Sequence, residues 1–236
     1  MQTAVIGYPR IGTLRELKFA SEQYFRKEIE AGELLQTAKE LRKTHWLTQK
    51  EAGISFISCN DFSFYDNMLD TAVLFGIVPK RYKELQLSEL DTYFAMARGY
   101  QGDSGDVKAL AMKKWFNTNY HYIVPEVEDE MVIELKGDKL FAEYHEAKEL
   151  GITTKPTVIG AYTLLKLCRY TGTKKMADYV DVVSKAYRDL IVKCETEGID
   201  WLQFDEPALV QDMGQDEIHL FHKLYDEILA ADNKCH

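Results

Sequence analysis

The sequence predicts an α/β fold of the (β/α)8 TIM-barrel type, and three observations support this prediction. Short apolar segments with the length and composition of strands recur along the chain, near Thr3, Ile54, Thr92, Tyr120, Thr157 and Trp201. Helical segments separate most of them, which is typical of a parallel sheet. Several strands lead into polar or glycine-rich loops, where barrels carry their ligands. A doubly wound open sheet is the alternative, but no G-x-G-x-x-G pattern follows the first strand.

The number of strands predicts an incomplete barrel. A closed barrel needs eight βα units, and the sequence shows about six. A barrel that is not closed leaves strand edges unpaired and part of its interior exposed. We therefore expect residues 1–236 to form one truncated barrel domain that belongs to a longer protein.

The helices are predicted from apolar residues at helical spacing and from the caps and glycines that end them. They cover residues 14–29, 33–52, 67–75, 140–150, 161–170, 175–197 and 216–231. Residues 91–97 are predicted as a strand, and residues 126–135 as a small ribbon. Gly99, Gly102 and Gly105 lie so close together that we expect a long, mobile loop there.

The composition excludes several classes of function. The 236 residues are 46% hydrophobic, enough for a sizeable core, and carry a net charge of −9. An acidic chain is a poor candidate for binding nucleic acid, and no apolar run is long enough to span a membrane. The four cysteines are far apart and form no C-x-x-C pair. We therefore expect reduced thiols in a cytoplasmic protein, with neither a disulfide framework nor a metal site.

The stretch from Gly7 to Lys18 contains the first candidate site. It follows the first predicted strand, and Thr13 and Glu16 have the spacing of a capping box that starts a helix near Leu14. Arg15 and Lys18 then lie in the first turns, where the helix dipole disfavours cations. Free amides, a positive helix end and two cations together favour an anion site. Alternatively, both side chains simply extend into water.

Further candidates follow later strands. Asn60 and Asp61 come after the second strand and serve either as turn and capping residues or as the lining of a pocket. Asp205 and Glu206 end the last strand, where two carboxylates suit acid–base chemistry. Neighbouring side chains on a strand point to opposite faces, however, so one of them could line a pocket while the other orients a loop. Two solvated carboxylates are the alternative. Lys114 precedes aromatic residues and either packs along them or binds a carboxylate.

Four stretches of the chain resemble the N-terminal domain of cobalamin-independent methionine synthase. They are residues 7–18, 60–66, 114–122 and 201–210, and the likeness extends from one end of the chain to the other. Asn117 stands where the family usually has Asp, which removes a charge near Lys114. The resemblance implies methyl transfer from 5-methyltetrahydropteroyltriglutamate, a folate polyglutamate, to homocysteine, which gives methionine.

The resemblance also implies which residues bind the folate. Arg15, Glu16, Leu17 and Lys18 match the family's contact for the glutamate tail, and Lys114 matches its folate-tail lysine. Arg15 would hold carboxylates through its planar fork, Lys18 and Lys114 would add point charges, and Glu16 suits capping better than direct contact.

The family's zinc ion binds the homocysteine thiol, and its ligands lie in a second, C-terminal catalytic barrel. The resemblance therefore implies no catalytic residue and no metal ligand in this chain, which we expect to be inactive without that barrel. The expected partners are that barrel and the small-molecule substrates, not nucleic acid or a membrane. A self-contained barrel hydrolase or lyase that uses Asp205 and Glu206 is an alternative, as is a non-catalytic interaction domain.

Overall fold

The computed structural model describes residues 2–230 and 235–236, which form two compact units. The first unit contains the residues up to Phe64 together with Lys139–Thr157. The second unit contains Tyr65–Asp138 and the residues from Val158 onwards. The organisation of residues 1–236 as one truncated barrel domain stays a prediction.

Helices account for most of the regular structure in both units. They are α1 (Glu16–Phe25), α2 (Ala31–Glu51), α3 (Asn67–Leu74), α4 (Lys80–Lys83), α5 (Glu89–Arg98), α6 (Lys139–Glu149), α7 (Ala161–Leu167), α8 (Val180–Thr196) and α9 (Gln215–Leu229). Short 3-10 helices cover Met176–Tyr179 and Pro207–Val210. The predicted end of the last helix, Ala231, lies outside the described residues. In the part of the chain that is described, no helix combines the length and apolar character that crossing a membrane requires.

The strands are short. They are β1 (Ile57–Cys59), β2 (Tyr100–Gly102), β3 (Gly105–Val107), β4 (Met112–Lys114), β5 (His121–Ile123), β6 (Glu126–Val127), β7 (Thr154–Ile159), β8 (Arg169–Tyr170) and β9 (Gln203–Asp205). In the first unit β1 runs parallel to the start of β7, and the strand predicted near Thr3 is reduced to a parallel bridge between Ala4 and Phe56. In the second unit β6 and β8 are parallel. Parallel pairs between helices confirm the predicted α/β class.

The first unit has a core between its helices and the segment after β1. Leu17 of α1, Ala38 of α2 and Phe62 are all buried and form one apolar cluster. The Arg42 guanidinium on α2 donates two hydrogen bonds of 2.8 Å to the Glu146 carboxylate on α6. Such paired contacts fix the relative orientation of two helices as well as stabilising them.

The core of the second unit is aromatic. Tyr187 of α8 is fully buried, and its ring lies 4.4 Å from that of Phe75 and 5.4 Å from that of Phe204. Its hydroxyl donates to the carbonyl of Ile159, so the polar tip of the ring also has a partner.

Three predictions about strands and loops in the second unit were wrong. Residues 91–97 belong to helix α5, in which five consecutive residues from Tyr93 to Ala97 are buried. A helix that is buried on every side has no amphipathic period. Its sequence is then a continuous apolar run, which is also the pattern of a buried strand. The three glycines form a tight antiparallel hairpin of β2 and β3 rather than a long loop. In the predicted ribbon at residues 126–135, only β6 is a strand.

Asp66 joins two elements of the second unit. Its carboxylate caps helix α3 by accepting a hydrogen bond of 2.8 Å from the Leu69 amide, and it accepts another of 2.9 Å from the Ile123 amide on β5. Burial raises the pKa of Asp66 from 3.8 to about 6, against the opposing effect of these amides. The folded protein therefore binds this proton more tightly than the unfolded chain does.

Asp66 predicts a pH dependence of stability with a definite sign. Between about pH 4 and about pH 6 the unfolded chain loses this proton before the folded protein does, so the Asp66 carboxyl weakens the fold as the pH rises. We expect wild type to lose about 2 kcal/mol relative to Asp66→Asn over this range, measured by urea unfolding. Asn is also a good N-cap, so any constant offset between the two proteins reflects the Ile123 contact. Parallel pH profiles would contradict the assignment.

Candidate functional site

The turn before helix α1 is anchored by Asp61. One carboxylate oxygen of Asp61 accepts hydrogen bonds from the Tyr8 amide at 2.7 Å and from the Ser58 hydroxyl at 3.1 Å. The Arg10 guanidinium donates to the Ser63 carbonyl at 2.8 Å. The loop after β1 therefore holds the N-terminal turn in place. Asp61 accepts hydrogen bonds as a turn residue does, which was one of the two roles considered for it.

Helix α1 begins two residues later than predicted. Its first residue is Glu16, and Arg15 is the N-cap with a left-handed backbone at φ 63° and no capping bond from its side chain. Gly12 has a φ of +83°, and a side chain there would collide with the Glu16 carboxylate. Glu16 accepts a hydrogen bond of 3.0 Å from the Leu14 amide. The predicted capping box of Thr13 with Glu16 is therefore wrong, because the Glu16 carboxylate accepts from the Leu14 amide instead.

Leu17 determines which way the cations of this helix face. Its side chain is only 2% exposed, in contact with the apolar cluster of the first unit. Arg15 and Lys18 are exposed, and Lys18 lies 3.7 Å from Glu22 in a pair whose side chains are both almost half exposed. No ion pair to Arg15 occurs among the described residues. Since exposed pairs contribute little, both cations remain available to an incoming anion.

A stacked pair of rings supports the same turn. The Tyr8 ring lies 4.4 Å from the His45 ring, with 24° between their planes. The Phe62 ring lies 6.3 Å from the His45 ring. Burial lowers the pKa of His45, which favours the neutral imidazole. No sequence pattern distinguishes His45, because it lies within α2 at the spacing of an ordinary core position.

Asn60 is held by contacts inside the first unit. Its backbone is left-handed at φ 59°, and its amide donates to Glu143 at 3.0 Å. Its side chain donates to the Thr157 carbonyl at 2.8 Å and accepts from Lys139 at 3.0 Å. These bonds stabilise the turn that follows β1, and they occupy both the nitrogen and the oxygen of the side-chain amide. A pocket-lining role for Asn60 and Asp61 stays a prediction.

Lys114 lies in the second unit, at the end of strand β4 and opposite His121. Its side chain is exposed, and no ion pair holds it within residues 2–230 and 235–236. The next residue, Trp115, packs edge-on against Tyr122 at 5.5 Å, and its amide donates to the Tyr120 carbonyl at 2.8 Å. Backbone and aromatic contacts therefore stabilise the turn after Lys114.

Glu206 is a structural capping group. Its two oxygens accept from the Tyr162 and Thr163 amides at 2.8 and 2.7 Å, and from the hydroxyls of Thr163 and Tyr225 at 2.5 Å each. A carboxylate accepts about four hydrogen bonds, so these donors fill it. Asp205 accepts a bond of 2.6 Å from Gln203. Because Glu206 is occupied in this way, it is not free to act with Asp205 in acid–base chemistry.

The cysteines do not suit a zinc ion. Burial raises the pKa of the Cys59 thiol well above its ordinary value and that of Cys194 to about 12, so both stay protonated, whereas zinc binds the thiolate. In the described part of the chain, no three His, Cys, Asp or Glu side chains lie together as a metal site would require.

Comparisons with known proteins place these residues in a family. Residues 2–236 match the family model described as cobalamin-independent synthase, N-terminal domain. The 5-methyltetrahydropteroyltriglutamate–homocysteine methyltransferase of Streptococcus gordonii is 54% identical over 230 residues, which are 98% of this chain and 31% of that protein. The enzyme of the same name from Campylobacter jejuni subsp. doylei is 54% identical over 97% of this chain and 30% of its own length. The chain thus spans under a third of these curated relatives.

A solved structure supports the fold. The chain resembles one assigned as a vitamin-B12 independent methionine synthase from Listeria monocytogenes, with a TM-score of 0.62 over 99% of this chain and 61% of that one. The two sequences are 15% identical, so this likeness bears on the fold alone. It is consistent with the barrel-type α/β fold predicted from the strands and helices.

The two carboxylates at the end of β9 should differ sharply on substitution. Glu206→Ala leaves two amides and two hydroxyls without their acceptor, and we expect it to lower the free energy of unfolding by about 2–4 kcal/mol. Asp205→Ala, the matched control, removes a single side-chain contact and should cost less than about 1 kcal/mol. Denaturant unfolding followed by circular dichroism measures both. Equal losses would show that Glu206 is not the cap described above.

Proposed function

Because the chain belongs to the family of cobalamin-independent synthases, as an N-terminal domain, we propose that it serves methyl transfer from 5-methyltetrahydropteroyltriglutamate to homocysteine. This is the reaction named for the Streptococcus and Campylobacter relatives. The role proposed for this chain is to bind the glutamate tail of the folate. Methionine is the product of the proposed reaction.

The observation that carries this proposal is the pair of exposed cations at the start of α1. A helix N-terminus already presents free amides and a partial positive charge, so cations there are disfavoured unless an anion is bound. Leu17 fixes the helix by its burial, and Arg15 and Lys18 are left facing solvent. A polyglutamate tail carries several carboxylates, and each can neutralise one of these charges.

The other residues have different proposed roles. Arg15 is suited to a bidentate contact with one carboxylate, and Lys18 and Lys114 supply point charges. Glu16 is a positioning residue, since its carboxylate already holds the Leu14 amide. Leu17 is also a positioning residue, because its side chain is buried. Four donors already fill the Glu206 carboxylate, which argues against the hydrolase alternative.

Catalysis requires more than this chain supplies. We propose that the zinc ion and its ligands belong to the catalytic barrel of the longer family members, since burial keeps the Cys59 and Cys194 thiols of this chain protonated. The catalytic barrel is then the partner of this chain, and homocysteine binds there. The proposal also places the protein in the cytoplasm, where free thiols such as these stay reduced.

Binding of the folate tail tests the proposal directly. Isothermal titration calorimetry would compare tetrahydropteroyltriglutamate with the monoglutamate, and we expect wild type to bind the triglutamate at least about tenfold more tightly. Arg15→Ala combined with Lys18→Ala should abolish this preference while leaving the monoglutamate affinity nearly unchanged, because only the outer glutamates lose their partners. The preference of wild type should also weaken as salt is added.

The matched control removes the same two charge types from elsewhere in the first unit. Arg26→Ala with Lys39→Ala changes an exposed arginine near the end of α1 and an exposed lysine on α2. This double variant should keep the full preference for the triglutamate. If Arg15→Ala with Lys18→Ala keeps it too, the tail does not bind at the start of α1.

A further inference from the structure

A cavity in the second unit is not used by the proposed function. It has a volume of about 470 Å³ and is bordered by α3, α5 and the segment before Lys139. Its apolar lining includes Val73, Val78 and Met96, and Met96 is fully buried. Volumes of this size are typical of sites for small molecules. None of Arg15, Lys18 and Lys114 lines the cavity.

The walls of this cavity are fixed by hydrogen bonds. The amides of Lys136 and Gly137 both donate to the Leu74 carbonyl, at 2.9 and 3.0 Å, which ties this segment to the end of α3. Gly76 has a φ of +69°, and a Cβ there would lie 2.9 Å from the Lys136 side chain, so the lysine stem packs closely over the glycine. On α5, the hydroxyl of Tyr93 donates to Asp70 at 2.7 Å. The cavity is therefore preformed.

Charged residues of both signs line the same cavity. Lys83 and Lys136 are the cations, and Glu89 and Asp138 are the anions. Lys83, Glu89 and Asp138 form no ion pair among the described residues, and Lys136 pairs only with the half-exposed Glu134, at 3.2 Å. An apolar cavity whose lining has charges of both signs that are not paired with one another is complementary to a ligand with an apolar body and two opposite charges.

We propose that this cavity binds a zwitterionic small molecule with an apolar side chain, of the chemical class of the aliphatic α-amino acids. Its side chain contacts Val73, Val78 and Met96, its carboxylate pairs with the lysines, and its ammonium group pairs with Glu89 and Asp138. The inference does not depend on the folate-tail proposal, because it uses a different set of residues.

The probes are L-leucine and two analogues that each lack one charge. 4-Methylpentanoate has no ammonium group, and isopentylamine has no carboxylate. Protein labelled with ¹³C at the methionine methyl groups reports on the cavity through Met96, whose signal is assigned with Met96→Leu. We expect L-leucine to shift the Met96 signal saturably, and each analogue to bind about tenfold more weakly or worse. No shift of Met96, or equal binding of either analogue, would overturn the proposal.

Charge-neutralising variants locate the binding site. Lys83→Gln and Glu89→Gln should each weaken L-leucine binding about tenfold. Lys80→Gln and Glu84→Gln are the matched controls, since these residues form an exposed pair beside the cavity without lining it. The controls should stay within about twofold of wild type. Equal effects in both pairs would contradict the site, whereas triglutamate binding should be unchanged in all four variants.

Discussion

The burial of Leu17 is the contact on which the candidate site depends. With Ala38 and Phe62 it fixes the rotation of α1 about its own axis, because a helix turns its apolar face towards the core. Residues one position away on either side, Glu16 and Lys18, must then face elsewhere. The exposed positions of Arg15 and Lys18 are thus a consequence of apolar packing, and the Asp61 carboxylate adds a second constraint by holding the Tyr8 amide.

The charges of this protein separate into two groups with different roles. Several carboxylates are occupied inside their own unit: Asp61 by an amide and a hydroxyl, and Glu206 by two amides and two hydroxyls. The cations assigned to the folate tail have weak partners or none in the described residues. The two cations at the start of α1 therefore form a local positive site on a chain whose net charge is −9.

Among the described residues, three of the five non-glycine residues with a left-handed backbone lie in stretches that resemble the family, and the other two are Lys27 and Gln86. Arg15, Asn60 and Phe116 all have φ values between 51° and 63°, in the left-handed region that glycine favours. Each costs on the order of 1 kcal/mol, so each persists only because surrounding contacts hold it. Arg15 is itself a proposed ligand of the tail, and Phe116 follows Lys114 by two residues. This placement of strain is typical of positions that present a side chain to a ligand.

The sequence alone determined features that depend on spacing along the chain. Strands alternating with helices predicted the α/β class, and the spacing of Arg15 and Lys18 placed two cations together near the start of a helix. The stretches that resemble the methionine synthase family were also visible in the sequence, since they are continuous. Helix α5 shows the limit of this approach, because a helix buried on all sides has the pattern of a strand.

Only the tertiary structure decided which polar groups are occupied. The bond from the Tyr8 amide to Asp61 joins residues 53 apart, and the bond from the Thr163 amide to Glu206 joins residues 43 apart. No local pattern identifies such partners, because the donors are backbone amides that every residue except proline carries. For the same reason the stacking of Tyr8 on His45 and the cavity beside Met96 became apparent only when distant segments were brought into contact.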